Sequence, residues 1–291
     1  MLEIMLLAAA IRFFFPKYSL LVIAIIYSIP DFYLIPYFSL VRQGLAASLF
    51  FYGVRCYVGN QKFLAWIIFG IAVSLHYSVV GALFFLVLAF NIKVGKNIFL
   101  IFFALAVSFY LSSIDVVRSI AEYLVVYLDP KYMIYLDRDV YNASLLYRGV
   151  YASVSTIVFI FVYMSWGRQD LESTSSLRWS SSIHRLAMFG ILIPLVVYGF
   201  PTFSTRYQFF FCIFTVGVCL AFLARFNVRD RLLALMMTCL LAYIPFYRFL
   251  SSPLSIVYIP YQSQLFFDKS NSTGQQRTDD LLNQLDVLWS K

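Results

Sequence analysis

Long apolar runs alternate along this chain with short polar or basic connections. The runs stand near 1–15, 18–30, 36–54, 62–75, 77–91, 97–113, 149–166, 186–200, 207–225 and 231–247. A helix that crosses a membrane needs about 20 mainly apolar residues, and several of these runs are short for a full crossing. The pattern predicts an all-α, polytopic integral membrane protein with about 9–10 transmembrane or partly inserted helices.

Composition supports the same class of protein. Hydrophobic residues make up 62% of the 291 positions and charged residues only 12%, whereas a soluble domain has about a quarter charged residues. A soluble protein of this composition would expose large apolar patches and aggregate. The 20% of aromatic residues fits lipid-facing bulk and interfacial belts, or platforms for sugar rings.

The placement of lysine and arginine predicts the orientation. If the turn with Arg55 and Lys62 is cytoplasmic, alternating crossings put the basic connections 91–97, 166–185 and 225–231 on the same side. This arrangement follows the positive-inside rule, and it accounts for the net charge of +8 without nucleic acid. Most acids fall on the other side: Asp31, Asp115, Glu122, Asp129, Asp137, Asp139, Asp279 and Asp280.

The same alternation divides the chain into two parts. Residues 1–250 form the predicted transmembrane helical domain, with one large external loop at about 112–148. A loop of this length is often functional. Residues 251–291 form an external tail, in which Leu281, Leu282, Leu285 and Leu288 have helical spacing and predict a short amphipathic helix.

Arg42 and Gln43 stand at the predicted start of a helix, after a segment broken by Pro30 and Pro36. A helix N-terminus favours an anion, and an arginine fork matches two phosphate oxygens at once. A lipid-linked diphosphate would suit this place. The alternative is an arginine whose guanidinium reaches the lipid head groups.

His76 is the only histidine within an apolar run, since His184 falls in a predicted basic loop. An imidazole can act as a general base near neutral pH. The alternative is a core histidine bonded to a carbonyl. One short turn joins the helices that carry Arg42 and His76, so we expect the two side chains to be neighbours at the external face.

Three further arginines fall at external helix ends: Arg148, Arg206 and Arg248. Arg206 is predicted to open its helix, as Arg42 does. A diphosphate site would explain why several cations stand on the side that should be poor in them. Tyr77, Tyr207 and Tyr261 are the aromatic candidates for substrate contact. No HExxH motif appears, and the absence of a DxD-like metal site argues against a cytoplasmic nucleotide-sugar enzyme, because "DRD" (137–139) falls on the external side, where nucleotide sugars are absent. No cofactor is predicted.

The order "VRQGLAASLFFYG", "RCYVGNQKF" and "WIIFGIAVSLHYSVVGALFFL" resembles the EpsG-like group of Wzy polysaccharide polymerases. The matching positions are Arg42, Gln43, Ala46, His76 and Ser78. The later "STRYQFFF" and "YIPYQSQLF" are similar to arginine-containing and Tyr-Pro-rich stretches of such proteins. The resemblance also implies more helices before the Arg-Gln pair than this chain has.

The resemblance implies a metal-independent glycosyltransferase of the bacterial inner membrane, with its active site on the periplasmic side. It would join undecaprenyl-pyrophosphate-linked repeat units of O-antigen, capsule or exopolysaccharide. His76 would act as base, Arg42 and Arg206 would stabilise the diphosphate, and Gln43, Arg148 and Arg248 would bind substrate. Membrane lipid, and a flippase and chain-length regulator of the same pathway, are the expected partners.

Three other functions stay open from the sequence. An O-antigen ligase would use similar chemistry with a different acceptor. A lipid-linked oligosaccharide flippase or transporter would place basic residues across the full membrane depth and would carry repeats. A membrane acyltransferase also uses arginine and histidine, but needs a site for a cytoplasmic acyl donor.

Overall fold

The computed structural model describes residues 2–29, 32, 41–92, 94–125, 145–166, 180–223, 226, 227, 236 and 247. Within these ranges the chain is helical and contains no strand, so the all-α prediction is confirmed. Residues 126–144 of the predicted external loop, nearly all of the 231–247 run and the predicted 251–291 tail lie outside the described residues.

Eleven α-helices and one short 3₁₀ turn are present in the described part of the chain. In chain order they are α1 (Leu2–Phe14), the 3₁₀ turn Pro16–Tyr18, α2 (Ser19–Ser28), α3 (Val41–Val58), α4 (Lys62–Leu75), α5 (Ser78–Asn91), α6 (Lys96–Leu111), α7 (Val116–Val125), α8 (Leu145–Ser165), α9 (Ser180–Val196), α10 (Pro201–Phe209) and α11 (Cys212–Leu223).

Helix α7 lies inside the segment predicted as an external loop. Asp115 caps its first turn, because the Arg118 backbone N–H donates to Asp115 Oδ1 at 2.8 Å. A carboxylate at this position satisfies one of the backbone donors that a helix start leaves unpaired. The loop therefore begins with a short capped helix, which no apolar run had predicted.

The α3–α4 hairpin brings the two ends of the Arg42–His76 segment together. Its turn contains Asn60 in the left-handed region, with φ 69°, a conformation that asparagine tolerates better than most residues. Along the hairpin the rings of Phe50 and Phe69 lie 6.0 Å apart, centroid to centroid. Helix α4 thus runs back along α3 and ends beside the helix start that carries Arg42.

Contacts between distant helices define two ends of the bundle. At the end that holds His76, called the His76 end, the ring of Tyr110 contacts those of Tyr151 and Tyr198. At the opposite end, the hydroxyl of Tyr163 donates to Asn97 Oδ1 at 3.1 Å. Helices α5, α6, α8 and α9 therefore run alternately between the two ends.

Aromatic rings fill the centre of the bundle. Phe209 and Phe210 contact Phe51 and Phe50 of α3 edge to face, at centroid distances of 6.1 and 5.5 Å. These rings lie at the break between α10 and α11. Gly81 provides room for Tyr207, whose hydroxyl occupies the space that a side chain on α5 would take. Such small residues allow close approach of helices in apolar surroundings.

The outer faces of several helices expose large apolar side chains along their length. On α4, α6 and α8 these are Phe63, Trp66, Ile67, Ile71, Ile98, Ile101, Phe102, Leu105, Phe109, Leu146, Val150, Ile157, Ile160 and Met164. Among the described helices, only α8 is long and apolar enough to cross a membrane by length and composition, and several others are apolar but have 10–17 residues.

Two sequence predictions about individual residues are wrong. His184 does not lie in a polar loop: it is buried within α9, and its Nε2 lies 3.0 Å from Ser165 Oγ. Arg206 does not open its helix but stands in the last turn of α10. Proline at the first helical position starts α10 at Pro201, because its fixed φ suits that place and the missing N–H costs nothing there.

The contrast between Gly53 and Gly70 gives a test of the hairpin packing. A side chain at Gly53 would meet the buried Phe69 ring, whereas Gly70 on α4 faces open space. We expect Gly53→Val to destabilise the protein by about 1–3 kcal/mol, as overpacking does. Gly70→Val should leave stability within about 0.5 kcal/mol, as surface substitutions do. Thermal unfolding of both variants in detergent measures the difference, and equal melting temperatures would contradict this packing.

Candidate functional site

His76 lies in the two-residue connection between α4 and α5. Its backbone is extended, with φ −155° and ψ 116°, so the chain leaves α4 at Leu75 and enters α5 at Ser78. The ring atom Nδ1 lies 2.6 Å from Ser78 Oγ, and the Ser78 backbone N–H donates to the same Nδ1 at 3.3 Å. The first residue of α5 therefore holds one side of the imidazole.

Two tyrosines lie beside His76. The ring of Tyr77 stacks on the imidazole, with centroids 5.3 Å apart and an interplanar angle of 12°. Tyr77 is 73% exposed, whereas Tyr207 is buried against Gly81 and lies within electrostatic range of Tyr77. The site thus contains one exposed tyrosine ring, Tyr77, and one buried tyrosine ring, Tyr207.

Two guanidinium groups influence the pKa of His76. Burial lowers the pKa of His76, and the positive charges of Arg206 and Arg42 lower it further. Like charges disfavour the protonated imidazole, so both effects favour the neutral ring. The structure therefore brings together the three residues that the sequence predicts as catalytic, from the start of α3, the α4–α5 connection and the end of α10.

Buried polar atoms without partners lie in the same elements. Gln43 is only 2% exposed, and its Oε1 has no hydrogen-bond partner among the described residues. Arg206 Nε is likewise buried and unpartnered within that part of the chain. An unsatisfied buried polar group costs about 1–3 kcal/mol. Such groups are typical of sites that a polar ligand completes.

Arg148 belongs to a second cluster at the His76 end. Its Nη1 donates to Ser113 Oγ in the α6–α7 connection. Tyr198, in the α9–α10 connection, is buried, and burial and the charge of Asp115 raise its pKa while Arg148 acts in the opposite direction. Arg148 thus lies beside the α6–α7 and α9–α10 connections, whereas Arg42 and Arg206 lie beside the α4–α5 connection that holds His76. Arg248 and Tyr261 lie outside the described residues.

Sequence reasoning predicted neither this second cluster nor the burial of the Gln43 side chain. Ser113 and Asp115 lie in the α6–α7 connection, Arg148 in α8 and Tyr198 in the α9–α10 connection, so no local spacing joins the cluster. The signal that could have indicated Asp115 is its position directly before the amphipathic segment Val116–Val125, where an acidic residue caps a helix. Among the described residues, no group of three or more His, Cys, Asp or Glu could hold a metal ion.

In the described part of the chain, a helical bundle places two guanidiniums beside the imidazole of His76, which is the chemistry of a site for an anionic ligand. Residues 1–263 match the EpsG family, and the chain belongs to that family. The family is associated with a polysaccharide polymerase-like, glycosyltransferase-like role in polysaccharide biosynthesis. No curated protein matches the chain, and no solved structure matches it.

The unpartnered Oε1 of Gln43 predicts a gain in stability when the carboxamide is replaced by an apolar group. Gln43→Met keeps the volume and removes the unsatisfied oxygen, so we expect it to stabilise the ligand-free protein by about 1 kcal/mol. Ser48, buried on the same helix, does have an interaction partner, and Ser48→Ala should give no such gain. Thermal unfolding in detergent measures both. A lower melting temperature for Gln43→Met would show that the amide is satisfied.

The charges around His76 predict how its pKa responds to substitution. Arg206→Gln removes a positive charge that opposes protonation, so the His76 pKa should rise. Arg42→Gln should raise it by a smaller amount, because Arg206 has the larger influence. Titration of histidine ring signals by NMR measures both shifts. Arg12→Gln, an exposed arginine in the last turn of α1, is the control and should leave the pKa unchanged.

Proposed function

We propose that this protein is a polysaccharide polymerase of the bacterial inner membrane that joins glycan repeat units carried on undecaprenyl diphosphate. Arg42 and Arg206 bind the diphosphate and stabilise the charge that develops on the leaving group. His76, which lies beside the two arginines, contacts the same lipid-linked substrate. The observation that carries the proposal is the placement of Arg42, at the start of α3, and Arg206, in the last turn of α10, close enough to His76 for their charges to act on it, within a chain of the EpsG family.

Membrane insertion is supported by the apolar outer faces of α4, α6 and α8. These faces are too extensive for a soluble monomer. Several helices are shorter than the roughly 30 Å hydrocarbon core requires, since 14 residues of α-helix span about 21 Å. The polar connections at both ends of the bundle and the contacts with neighbouring helices accommodate this difference between helix length and hydrocarbon thickness.

The distribution of charge supports a periplasmic position for the site. Within the described ranges, every charged residue at the opposite end of the bundle is basic, namely Arg12, Lys17, Arg55, Lys62, Lys96 and Arg185. The His76 end carries acidic residues, Glu3 and Asp115, as well as the arginines of the site. Cytoplasmic loops concentrate lysine and arginine, so we assign the opposite end to the cytoplasm and the His76 end to the periplasm.

Sugar contacts are assigned to the exposed aromatic surface beside the arginines. Tyr77 presents its ring to solvent while its other face lies on His76. An exposed ring beside a diphosphate site is suited to pack against the first sugar. Tyr207, Gln43 and Arg148, together with Arg248 and Tyr261 from outside the described residues, are the further proposed substrate contacts, and a flippase and chain-length regulator are proposed partners.

An O-antigen ligase is the second candidate function. It would bind the same lipid-linked diphosphate glycan and transfer it to a different acceptor, so Arg42, Arg206 and His76 would keep their roles. A flippase or transporter is less well supported, because the described arginines of the site gather at one end rather than along a passage. The product of the reaction distinguishes all three functions.

Substitution of the site residues tests the function directly. In cells lacking their own copy, Arg42→Ala, Arg206→Ala and His76→Ala should each lower long-chain polysaccharide by about 100-fold or more, as loss of charge stabilisation does. Single repeat units on the lipid should accumulate. Gel analysis of chain length and mass spectrometry of the lipid-linked fraction measure both products.

Two observations keep this test specific. Arg12→Ala, far from the site at the end of α1, should leave the ladder of chain lengths normal. Each variant is quantified in the membrane by immunoblot, so that loss of folding is not mistaken for loss of activity. A normal ladder in all three site variants would overturn the proposed function, and full-length polymer left on its lipid would favour the ligase.

A further inference from the structure

We propose that His76 uses its Nε2–H as a hydrogen-bond donor to the phosphate oxygens of the substrate, with Nδ1 held as an acceptor by Ser78. This inference rests on the proposed function, because it takes the lipid-linked diphosphate as the ligand. It assigns His76 to anion binding together with Arg42 and Arg206. The general-base role predicted from the sequence would need a free lone pair at Nε2 instead.

The backbone of Ser78 determines which ring nitrogen carries the proton. An amide N–H can only donate, so the bond from Ser78 N to His76 Nδ1 requires a lone pair on Nδ1. A neutral imidazole has one lone pair and one N–H, which leaves the proton on Nε2. The Ser78 hydroxyl, 2.6 Å from Nδ1, can donate to the same lone pair.

The position of Ser78 makes this arrangement a rigid one. Ser78 is the first residue of α5 and is buried. Its N–H is one of those that a helix start leaves without an intrahelical acceptor. The imidazole of His76 therefore caps α5, as the side chain of an N-terminal capping residue would. The capping bond orients the ring and directs Nε2 away from α5.

The charges that face His76 favour a neutral donor. Among the described residues, Arg206 and Arg42 are the cations that act on it, and Tyr77 and Tyr207 are the other titratable side chains at the site. A protonated imidazole would be repelled by both guanidiniums before substrate binds. A neutral imidazole adds a donor to the anion site without this cost and keeps its proton, as neutral electrophilic histidines do elsewhere.

The tautomer can be measured without an activity assay. The chain has two histidines, so ¹⁵N-histidine labelling of the full-length protein in detergent gives two rings, and the ring lost in His76→Gln is identified as His76. Long-range ¹H–¹⁵N correlation near pH 7.5 should show the proton on Nε2. Ser78→Ala keeps the backbone N–H and should keep the tautomer. A proton on Nδ1 in either protein would overturn the proposal.

Amide substitutions test the role in the reaction. The amide nitrogen of glutamine can reach the position of Nε2, whereas that of asparagine reaches only the position of Nδ1. In the cellular assay His76→Gln should keep polymer within about tenfold of wild type, while His76→Asn and His76→Ala should fall by about 100-fold. Equal losses in all three, at equal protein levels, would overturn the donor role.

These outcomes separate failure of the inference from failure of the proposed function. If Arg42→Ala and Arg206→Ala abolish polymer while His76→Gln is as inactive as His76→Ala, the polymerase function stands and the donor role falls. If the arginine variants make normal polymer, the proposed function falls, and with it the ligand that the donor requires. The NMR result would then describe only the cap of α5.

Discussion

The site depends on the antiparallel packing of α3 against α4. The turn at Asn60 reverses the chain, and the close approach of Gly53 to the Phe69 ring holds the two helices together. This packing brings Arg42, at the start of α3, to the end of the bundle that holds His76. A larger residue at Gly53 would meet the Phe69 ring and push α3 and α4 apart.

A second constraint positions Arg206. The rings of Phe209 and Phe210 pack edge to face on α3, and Tyr207 enters the space left by Gly81 on α5. These contacts fix the end of α10 against both α3 and α5. Arg206 therefore joins the site because its neighbours in sequence are anchored in the aromatic core, and its own Nε stays buried without a partner in the described chain.

Polar groups at the two ends of the bundle serve different purposes. At the opposite end, Arg185 donates to the backbone carbonyls of Ala89 and Val94, at 2.7 and 3.3 Å, and so satisfies acceptors near the end of α5. His184 is similarly bonded to Ser165. At the His76 end, by contrast, Gln43 and Arg206 keep unpaired atoms. The contacts of Arg185 and His184 stabilise the fold, whereas the unpaired atoms of Gln43 and Arg206 are available to a ligand.

The sequence by itself determined the helical class, because apolar runs of this length and composition have few alternatives to helices in apolar surroundings. It also indicated Arg42 and His76 as neighbours, since one short turn joins their helices. Only the tertiary structure decided that His184 is buried, that Arg206 ends its helix and that Ser78 fixes the imidazole. Each of these depends on contacts between helices or on where a helix begins, which hydrophobic periodicity does not encode.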